Sequence, residues 1–144
     1  RGSYLPELQT QIDVEGVSDM ISLPGFVPDP ELRQLVHRAG CVVIPSLYEP
    51  FGIVALEALA AGTPLIVART GGLAELIVGT NAGVTFEPGN PDDLADAIEQ
   101  VLTNDELATI LVANARHLVE QKYSWAAIAR ATAEVYGAAH LALR

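Results

Sequence analysis

Short apolar runs that alternate with helical patterns constrain the fold of this chain more than any other feature. The runs are rich in β-branched side chains and end at proline, glycine or a polar residue. Strands that are apolar on both faces are typical of parallel sheets covered by helices on each side. The sequence therefore predicts a doubly wound α/β sheet with strands at residues 20–23, 41–44, 65–67 and 83–86.

The segments between and after these runs have helical patterns. Asp29 is a good N-cap and Pro30 a good first helical residue. No strand pattern follows Asn104, so residues 104–144 are expected to form a helical extension of the same domain. Ser124 is expected to cap the last helix, with Trp125 as its packing anchor. Predicted helices cover residues 5–14, 29–38, 52–61, 73–78, 90–102, 104–123 and the segment from 125 onward.

Composition excludes several classes of protein. Half of the 144 residues are hydrophobic and 18% are charged, which is too apolar for a disordered tail. Eight basic against 18 acidic residues give a formal net charge of −10, which disfavours nucleic-acid binding. Cys41 is the single cysteine and is expected to be an inert core residue. Because a single cysteine forms no intramolecular disulfide, a cytoplasmic location is predicted. The length predicts a single domain over residues 1–144. No stretch is typical of a membrane span or a secretory signal.

Ligands of doubly wound sheets bind beyond the carboxyl ends of the strands, which draws attention to three loops. These are residues 24–29, 45–52 and 69–72. Two of them, residues 45–52 and 69–72, end in glycine and lead directly into a helix N-terminus, where free N–H groups favour phosphate or hydroxyl-rich ligands. For any single loop, a tight turn explains the glycines and prolines equally well.

Two glutamates stand out in and after the second loop. Glu57 falls in a helix that is apolar all round, so it is expected to be buried and to need a hydrogen-bond partner. That partner is either a backbone N–H or arginine of the protein, or a ligand hydroxyl such as those of ribose. Glu49 is either a solvated loop acid that complements the helix dipole, or a second carboxylate suited to sugar chemistry.

The stretch PSLYEPFGIVALEA at residues 45–58 resembles the signature of the retaining GT-B glycosyltransferases, in which seven residues separate two glutamates. Residues 61–67 and 70–75 resemble the segments that follow in that family. The Gly25-Phe26-Val27 loop resembles the one that holds the nucleotide base. Tyr123-Ser124-Trp125, with Tyr136, resembles the C-terminal helix pair. The resemblance runs in order over residues 20–136.

The resemblance implies a role for each matching residue. Glu49 is the expected catalytic residue, since it would bind hydroxyls of the transferred sugar and stabilise its positive charge. Glu57 would accept hydrogen bonds from the ribose hydroxyls. The other donor-binding residues would be Phe51, Gly52 and Ile53 through backbone N–H groups, Thr70, Gly71 and Gly72 through close approach to the sugar, and Phe26 and Val27 at the base.

The motif RTGGL at residues 69–73 is particularly similar to the corresponding segment of glycogen and starch synthases. It implies ADP- or UDP-glucose as the donor and an acceptor such as an α-glucan, with no cofactor and no metal. Mannosyl- and sucrose-type transferases of the same fold are alternatives, and so is a non-catalytic nucleotide-sugar-binding or interaction module. Arg69 fits a surface position as well as the site. A dehydrogenase or epimerase is disfavoured because G-x-G-x-x-G is absent, and the three scattered histidines lack metal-ligand spacing.

The resemblance covers only part of a GT-B enzyme, most of the second of two domains. In the family, the acceptor domain and an Arg–Lys pair that neutralises the diphosphate lie upstream. We therefore expect a hexosyltransferase domain, truncated at its N-terminus and inactive by itself. Aligned with the family, residues 20–23 form the third strand of six, which leaves an open apolar edge at residues 41–44. Either residues 20–23 pair with that edge or two copies associate through it.

Overall fold

The computed structural model of the chain describes residues 4–142. These residues form two compact units, one up to Arg33 and one from Gln34 onward. The boundary falls inside helix α2, Asp29–Arg38. Within residues 4–142, no helix combines the length and the apolar character that crossing a membrane requires.

The first unit begins with helix α1, Leu5–Val14, at the predicted position. The helix ends where Gly16 adopts a left-handed conformation with φ of 68°. The N–H of Val17 then donates to the carbonyl of Ile12 at 3.2 Å, a bond typical of helix C-termini. Helix α2 ends at the predicted residue, but it begins at Asp29, one residue before the predicted Pro30, so the predicted N-cap is the first residue of the helix.

The strand predicted at residues 20–23 is wrong. The N–H of Met20 donates to the carbonyl of Val17 at 2.9 Å within a turn, and residues 21–25 have no regular structure. The Met20 side chain is 84% exposed. A β-strand is stabilised by hydrogen bonds to a neighbouring strand, and no described strand pairs with this segment. Apolar composition alone therefore does not produce a strand here.

The second unit is built on a parallel three-stranded sheet. Its strands are hydrogen-bonded in the order β1 (Val42–Ile44), β2 (Leu65–Ala68) and β3 (Val84–Phe86). Ile66 of the central strand pairs with Val43 on one side and Val84 on the other. These three strands are confirmed within one residue of their predicted bounds. Among the described residues β1 is an edge strand, and its association with a second copy stays a prediction.

Both faces of the sheet are covered, as the predicted doubly wound fold requires. Alternate residues of β2 enter two separate cores, Leu65 and Val67 one of them, Ile66 and Ala68 the other. Because all four side chains are buried, the strand reads as a continuous apolar run in the sequence. The first core includes α3 (Ile53–Ala61) and α4 (Gly71–Ile77), the second includes α5 (Pro91–Thr103), and α6 (Asp105–Leu118) contributes to both.

The C-terminal helices start at side-chain caps. The Oδ1 atom of Asn90 accepts from two amides of the first turn of α5, at 3.1 Å each. The Oδ1 atom of Asn104 accepts from the N–H of Leu107 at 2.9 Å at the start of α6. Each contact satisfies amides that have no acceptor within their own helix. The predicted starts of both helices are confirmed.

The last predicted helices are also present, with two differences. Helix α6 passes into a π-helix, Val119–Tyr123, before α7, Trp125–Ala142. The hydroxyl of Ser124 accepts from the N–H of Ala127 at 3.2 Å, so the predicted cap is confirmed. Trp125 is 86% exposed, and the prediction that it anchors the helix is wrong. The smaller Ala127 is the buried residue of this first turn.

Candidate functional site

The carboxyl ends of β1 and β2 lie at the same edge of the sheet, because the two strands are parallel. The loop after β1, residues 45–52, carries Glu49 and ends at Gly52, the N-cap of α3. We refer to it as the Glu49 loop. The connection after β2 is short and ends at Thr70, the N-cap of α4. Two of the three loops singled out in the sequence therefore leave the sheet side by side.

Hydrogen bonds join the Glu49 loop to the start of α4. The hydroxyl of Thr70 donates to the carbonyl of Ser46 at 3.0 Å. The N–H of Gly72 donates to the carbonyl of Glu49 at 3.1 Å. The two contacts hold the loop at both of its halves.

Three glycines allow the segments to approach closely. Gly52 has φ of 83°, and a Cβ there would lie 2.8 Å from the Leu73 Cδ2 atom. A Cβ on Gly71 would lie 3.0 Å from the carbonyl oxygen of Glu49, and one on Gly72 would lie 2.5 Å from that of Pro50. A real Cβ does not lie 2.5 Å from a backbone oxygen, so backbone packing at this edge requires glycine at residue 72. The contact at Gly71 is tight, and the one at Gly52 is to the end of a flexible side chain.

The Glu49 carboxylate lies at the N-terminus of α3. The side chain is half-buried, and its Oε1 atom accepts from the N–H of Gly52 at 3.0 Å and from that of Phe51 at 3.4 Å. A negative charge is favoured here by the positive end of the helix dipole. Glu49 thus complements the dipole, one of the two roles considered for it, and its side chain has a defined position.

The prediction that Glu57 is buried is wrong, because its side chain is exposed. Helix α3 lies against the sheet with one side only, through Ala55, Ala58 and Leu59. The opposite side is exposed although it is apolar, with Ile53 exposed by 64%. Uniform apolar composition therefore overstated the burial of this helix, and the need for a protein partner at Glu57 disappears. Contact between this carboxylate and a ligand stays a prediction.

Phe26 and Val27, predicted to hold a nucleotide base, lie in the first unit. They follow Gly25, which has φ of 70°. Phe26 is 90% exposed and Val27 is half-buried. Their role at a base stays a prediction.

Sequence reasoning missed the backbone of Ser46 and Pro50, which the structure places in contact with Thr70 and Gly72. A carbonyl oxygen has no signature in a sequence, since every residue carries one. The consecutive glycines at 71 and 72 are the one available signal. In the direction of their missing Cβ atoms the structure places the backbone of Glu49 and Pro50, and their approach to the sugar stays a prediction.

Other polar groups of the second unit have structural contacts or open exposure. Arg69, the one basic residue of the two loops, is exposed. The Nδ1 atom of His37 lies 3.1 Å from the carbonyl oxygen of Ala61. Burial raises the pKa of the half-buried Cys41 thiol, which packs against the second core. Over the described part of the chain, no three His, Cys, Asp or Glu side chains are grouped so that they could hold a metal ion.

Comparison with known families identifies the chain. Residues 1–118 match the family described as glycosyl transferases group 1. The chain belongs to this family. The glycosyltransferase resemblance of residues 45–58 is thereby confirmed, while the roles of its individual residues stay predictions.

Relatives of the chain are longer glycosyltransferases. It is 45% identical over 133 residues to a glycosyltransferase of Methanocaldococcus jannaschii, which covers 92% of this chain and 33% of that protein. It is 44% identical over 115 residues to a glycogen synthase of Mycobacterium tuberculosis, with coverage of 80% and 28%. The chain thus spans about a third of the length of the curated relatives that it matches.

A solved structure shows the same fold. Anabaena HepE, in complex with UDP, superposes with a TM-score of 0.85 at 29% identity, covering 94% of this chain and 37% of that one. The same protein has also been solved in complex with UDP-glucose. The predicted α/β fold of a GT-B glycosyltransferase is therefore confirmed.

Proposed function

We propose that this chain forms the donor-binding part of a retaining hexosyltransferase that uses UDP-glucose or ADP-glucose. The observation that carries the proposal is the Glu49 carboxylate, held at a helix N-terminus on the ligand-binding edge of the sheet in a member of a glycosyltransferase family. Similarity to a glycogen synthase and to HepE, which has been solved with UDP-glucose, supports the choice of sugar. The acceptor, such as an α-glucan, would be bound by another domain of the complete enzyme.

Glu49 is the residue we assign to the transferred sugar. Both of its amide contacts use the Oε1 atom, so the Oε2 atom is the one to accept a sugar hydroxyl. A carboxylate in this position also stabilises the positive charge that develops on the sugar ring during transfer. Because the amides hold Oε1, little conformational freedom has to be lost when the sugar binds.

The start of α3 is the element we assign to the diphosphate. The first amides of a helix have no acceptor within the helix. The Gly52 amide already donates to Glu49, so the amide of Ile53 and those that follow it in the first turn of α3 are the ones we assign to the ligand. Together with the helix dipole they stabilise the charge of a phosphate group and of the departing diphosphate. With a formal net charge of −10 and only Arg69 in the loops, the cations that neutralise the diphosphate are expected outside these residues.

Glu57 is assigned to the ribose of the donor. Its exposed carboxylate lies one helical turn beyond Ile53, on the exposed side of α3. A ligand that contacts the N-terminus of α3 can therefore continue along this side and reach Glu57. Exposure makes the carboxylate accessible, whereas the burial expected from the sequence would have hidden it.

Front-face transfer without a metal or cofactor completes the proposal. We expect an α-configured donor to give an α-linked product, which NMR of the product reads directly. A β-linked product would refute retention. Activity should be unchanged in EDTA, and its loss on chelation would refute metal independence.

Donor binding tests the proposal in the gene product that carries this chain. Calorimetric titration with UDP-glucose and ADP-glucose should show binding of at least one, and Glu57→Gln should weaken it. Glu99→Gln is the matched control, since it removes the same charge from an exposed helical position on α5. The proposal is refuted if neither UDP-glucose nor ADP-glucose binds.

A transfer assay separates the enzyme from the alternative, a non-catalytic nucleotide-sugar-binding module. Transfer of labelled glucose to glycogen, abolished by Glu49→Gln, supports the enzyme. Binding of the nucleotide sugar without transfer to any of a panel of glucans and sugar phosphates supports the module.

A further inference from the structure

Thr70 uses its side chain on the Glu49 loop instead of on its own helix. A threonine at an N-cap normally accepts a hydrogen bond from an amide of the first helical turn. At the start of α4 no such bond forms. The hydroxyl of Thr70 instead donates to the carbonyl of Ser46, 24 positions earlier in the chain. The side chain therefore supports the loop that carries Glu49.

Gly72 supports the same loop in two ways. Its N–H donates to the carbonyl of Glu49 at 3.1 Å, so this first-turn amide of α4 is already paired within the protein. Its missing side chain lets the backbone of Pro50 and Phe51 come close, since a Cβ would lie 2.5 Å from the Pro50 oxygen and 3.1 Å from the Phe51 Cα. The contact is between two backbone segments, which cannot move aside as a flexible side chain would.

Gly71 completes the support. It has φ of 41°, and a Cβ there would lie 3.0 Å from the carbonyl oxygen of Glu49. Glu49 is consequently held from two directions. The start of α4 contacts its carbonyl, and the start of α3 binds its carboxylate through the N–H of Gly52.

We propose that Thr70, Gly71 and Gly72 are positioning residues, which hold the backbone of Glu49 and thereby aim its carboxylate at the donor sugar. This inference rests on the proposed function, in which Glu49 contacts the transferred sugar. It differs from the role implied by the family resemblance, in which these three residues approach the sugar themselves. A positioning residue acts through Glu49, and this dependence is measurable.

A double-mutant cycle between Thr70 and Glu49 tests the dependence in the gene product that carries this chain. The affinity for UDP-glucose and ADP-glucose is measured for the wild type, Thr70→Val, Glu49→Ala and the double variant. Thr70→Val removes the hydroxyl and should weaken nucleotide-sugar binding about fivefold. In the double variant it should have no further effect, because the residue through which it acts is already absent.

Matched variants separate positioning from stability. Thr63 makes the same kind of contact, a hydroxyl donating to the distant carbonyl of Val36 at 2.7 Å, away from the Glu49 loop. Thr63→Val should lower the melting temperature without changing affinity. Thr70→Ser keeps the hydroxyl and should bind within about twofold of the wild type. Thr70→Ala replaces Thr70→Val if the valine variant fails to fold.

Hydrogen exchange provides a readout that needs no ligand. Thr70→Val should accelerate amide exchange in residues 46–52, whereas Thr63→Val and Thr70→Ser should leave those amides as in the wild type. Unchanged exchange in Thr70→Val would overturn the positioning role even if affinity fell. Additive losses of affinity in the double variant would overturn it too, because they mean that Thr70 contributes independently of Glu49.

Failure of the proposed function and failure of the positioning role give different experimental results. If the wild type binds neither nucleotide sugar, the proposed function is refuted, and with it the aim of the carboxylate at a donor. The exchange experiment then still decides whether Thr70 holds the loop. If the wild type binds and the cycle is additive, the proposed function stands and the positioning role is refuted.

Discussion

Replacing Gly72 by alanine would create a steric clash between the start of α4 and the Glu49 loop. The new Cβ would lie 2.5 Å from the Pro50 oxygen. Close carbon–oxygen contacts in proteins are about 3.3 Å or longer, so the two backbone segments would have to separate by about 0.8 Å. The displaced segment is the one that carries Glu49.

The expected change in the free energy of unfolding caused by Gly72→Ala is the sum of two opposing contributions. Overpacking of this kind destabilises a protein by about 1–3 kcal/mol. Alanine also stabilises a helical position by about 0.5–1 kcal/mol relative to glycine, and Gly72 lies within α4 without a left-handed φ. The net loss of unfolding free energy should lie between about 0 and about 2.5 kcal/mol, with a midpoint of about 1 kcal/mol, or a few degrees in melting temperature.

Gly137→Ala is the matched control. Gly137 lies inside helix α7, and a Cβ there would meet nothing within 4 Å. The same substitution should therefore stabilise by about 0.5–1 kcal/mol, the helix contribution alone. The opposite signs of the two variants isolate the steric contribution at residue 72.

Urea unfolding of the gene product and amide exchange over residues 46–52 measure the two consequences. We expect Gly72→Ala to unfold at lower urea and to exchange faster in the Glu49 loop. A Gly72→Ala variant as stable as Gly137→Ala, with unchanged loop exchange, would refute the close approach of Gly72 to the Pro50 carbonyl.

Four further predictions concern other parts of the chain. Glu57→Gln should leave folding unchanged, because the side chain is exposed. It should reduce the free energy of donor binding by roughly 1.5–3 kcal/mol, because it removes a charge-assisted hydrogen bond. A titration that gives equal affinity for the variant and the wild type would contradict the ribose role. Asn104→Ala should lower the free energy of unfolding by about 1 kcal/mol, because it removes the cap of α6, and an unchanged urea midpoint contradicts this. Burial raises the pKa of the Cys41 thiol above its unfolded value, so the free energy of unfolding associated with this thiol is present below the unfolded pKa and is lost as pH rises through the folded pKa. Iodoacetamide should therefore react more slowly with the native protein than with the urea-unfolded protein near pH 8. Equal reaction rates would refute the shift. The purified 144-residue chain should show no glucose transfer, which an assay with labelled donor checks, since acceptor binding and the diphosphate cations are expected elsewhere.

Element types and order could be predicted from local patterns in the second unit. The run 65–67 gave a strand because β2 is buried on both faces, and Asn90 and Asn104 marked helix starts because their side chains bond to amides two or three positions away. These interactions are short-range or depend only on being apolar. Residues 20–23 show the limit of such patterns, since an apolar run becomes a strand only when another strand accepts its hydrogen bonds.

The side of α3 that is buried could not be predicted from the sequence, for a related reason. Nine residues with one charge predict a helix buried all round, yet a helix packed on one face of a sheet contacts it with one side only. Which side faces the sheet depends on the direction of the chain after Gly52, not on hydrophobicity that is uniform around the helix. Glu57 is exposed for this reason, and so are its apolar neighbours Ile53 and Val54.

Side-chain types at fixed local spacing were enough to predict the doubly wound class, the caps at Asn90 and Ser124 and the family. The packing of the Glu49 loop against the start of α4 depends instead on tertiary contacts. The contacts of Thr70 with Ser46 and of Gly72 with Glu49 join residues more than 20 positions apart, and they use carbonyl oxygens that every residue carries. Such contacts exist only once parallel strands place two loops at one edge of the sheet, and for that reason the glycines there pack against backbone.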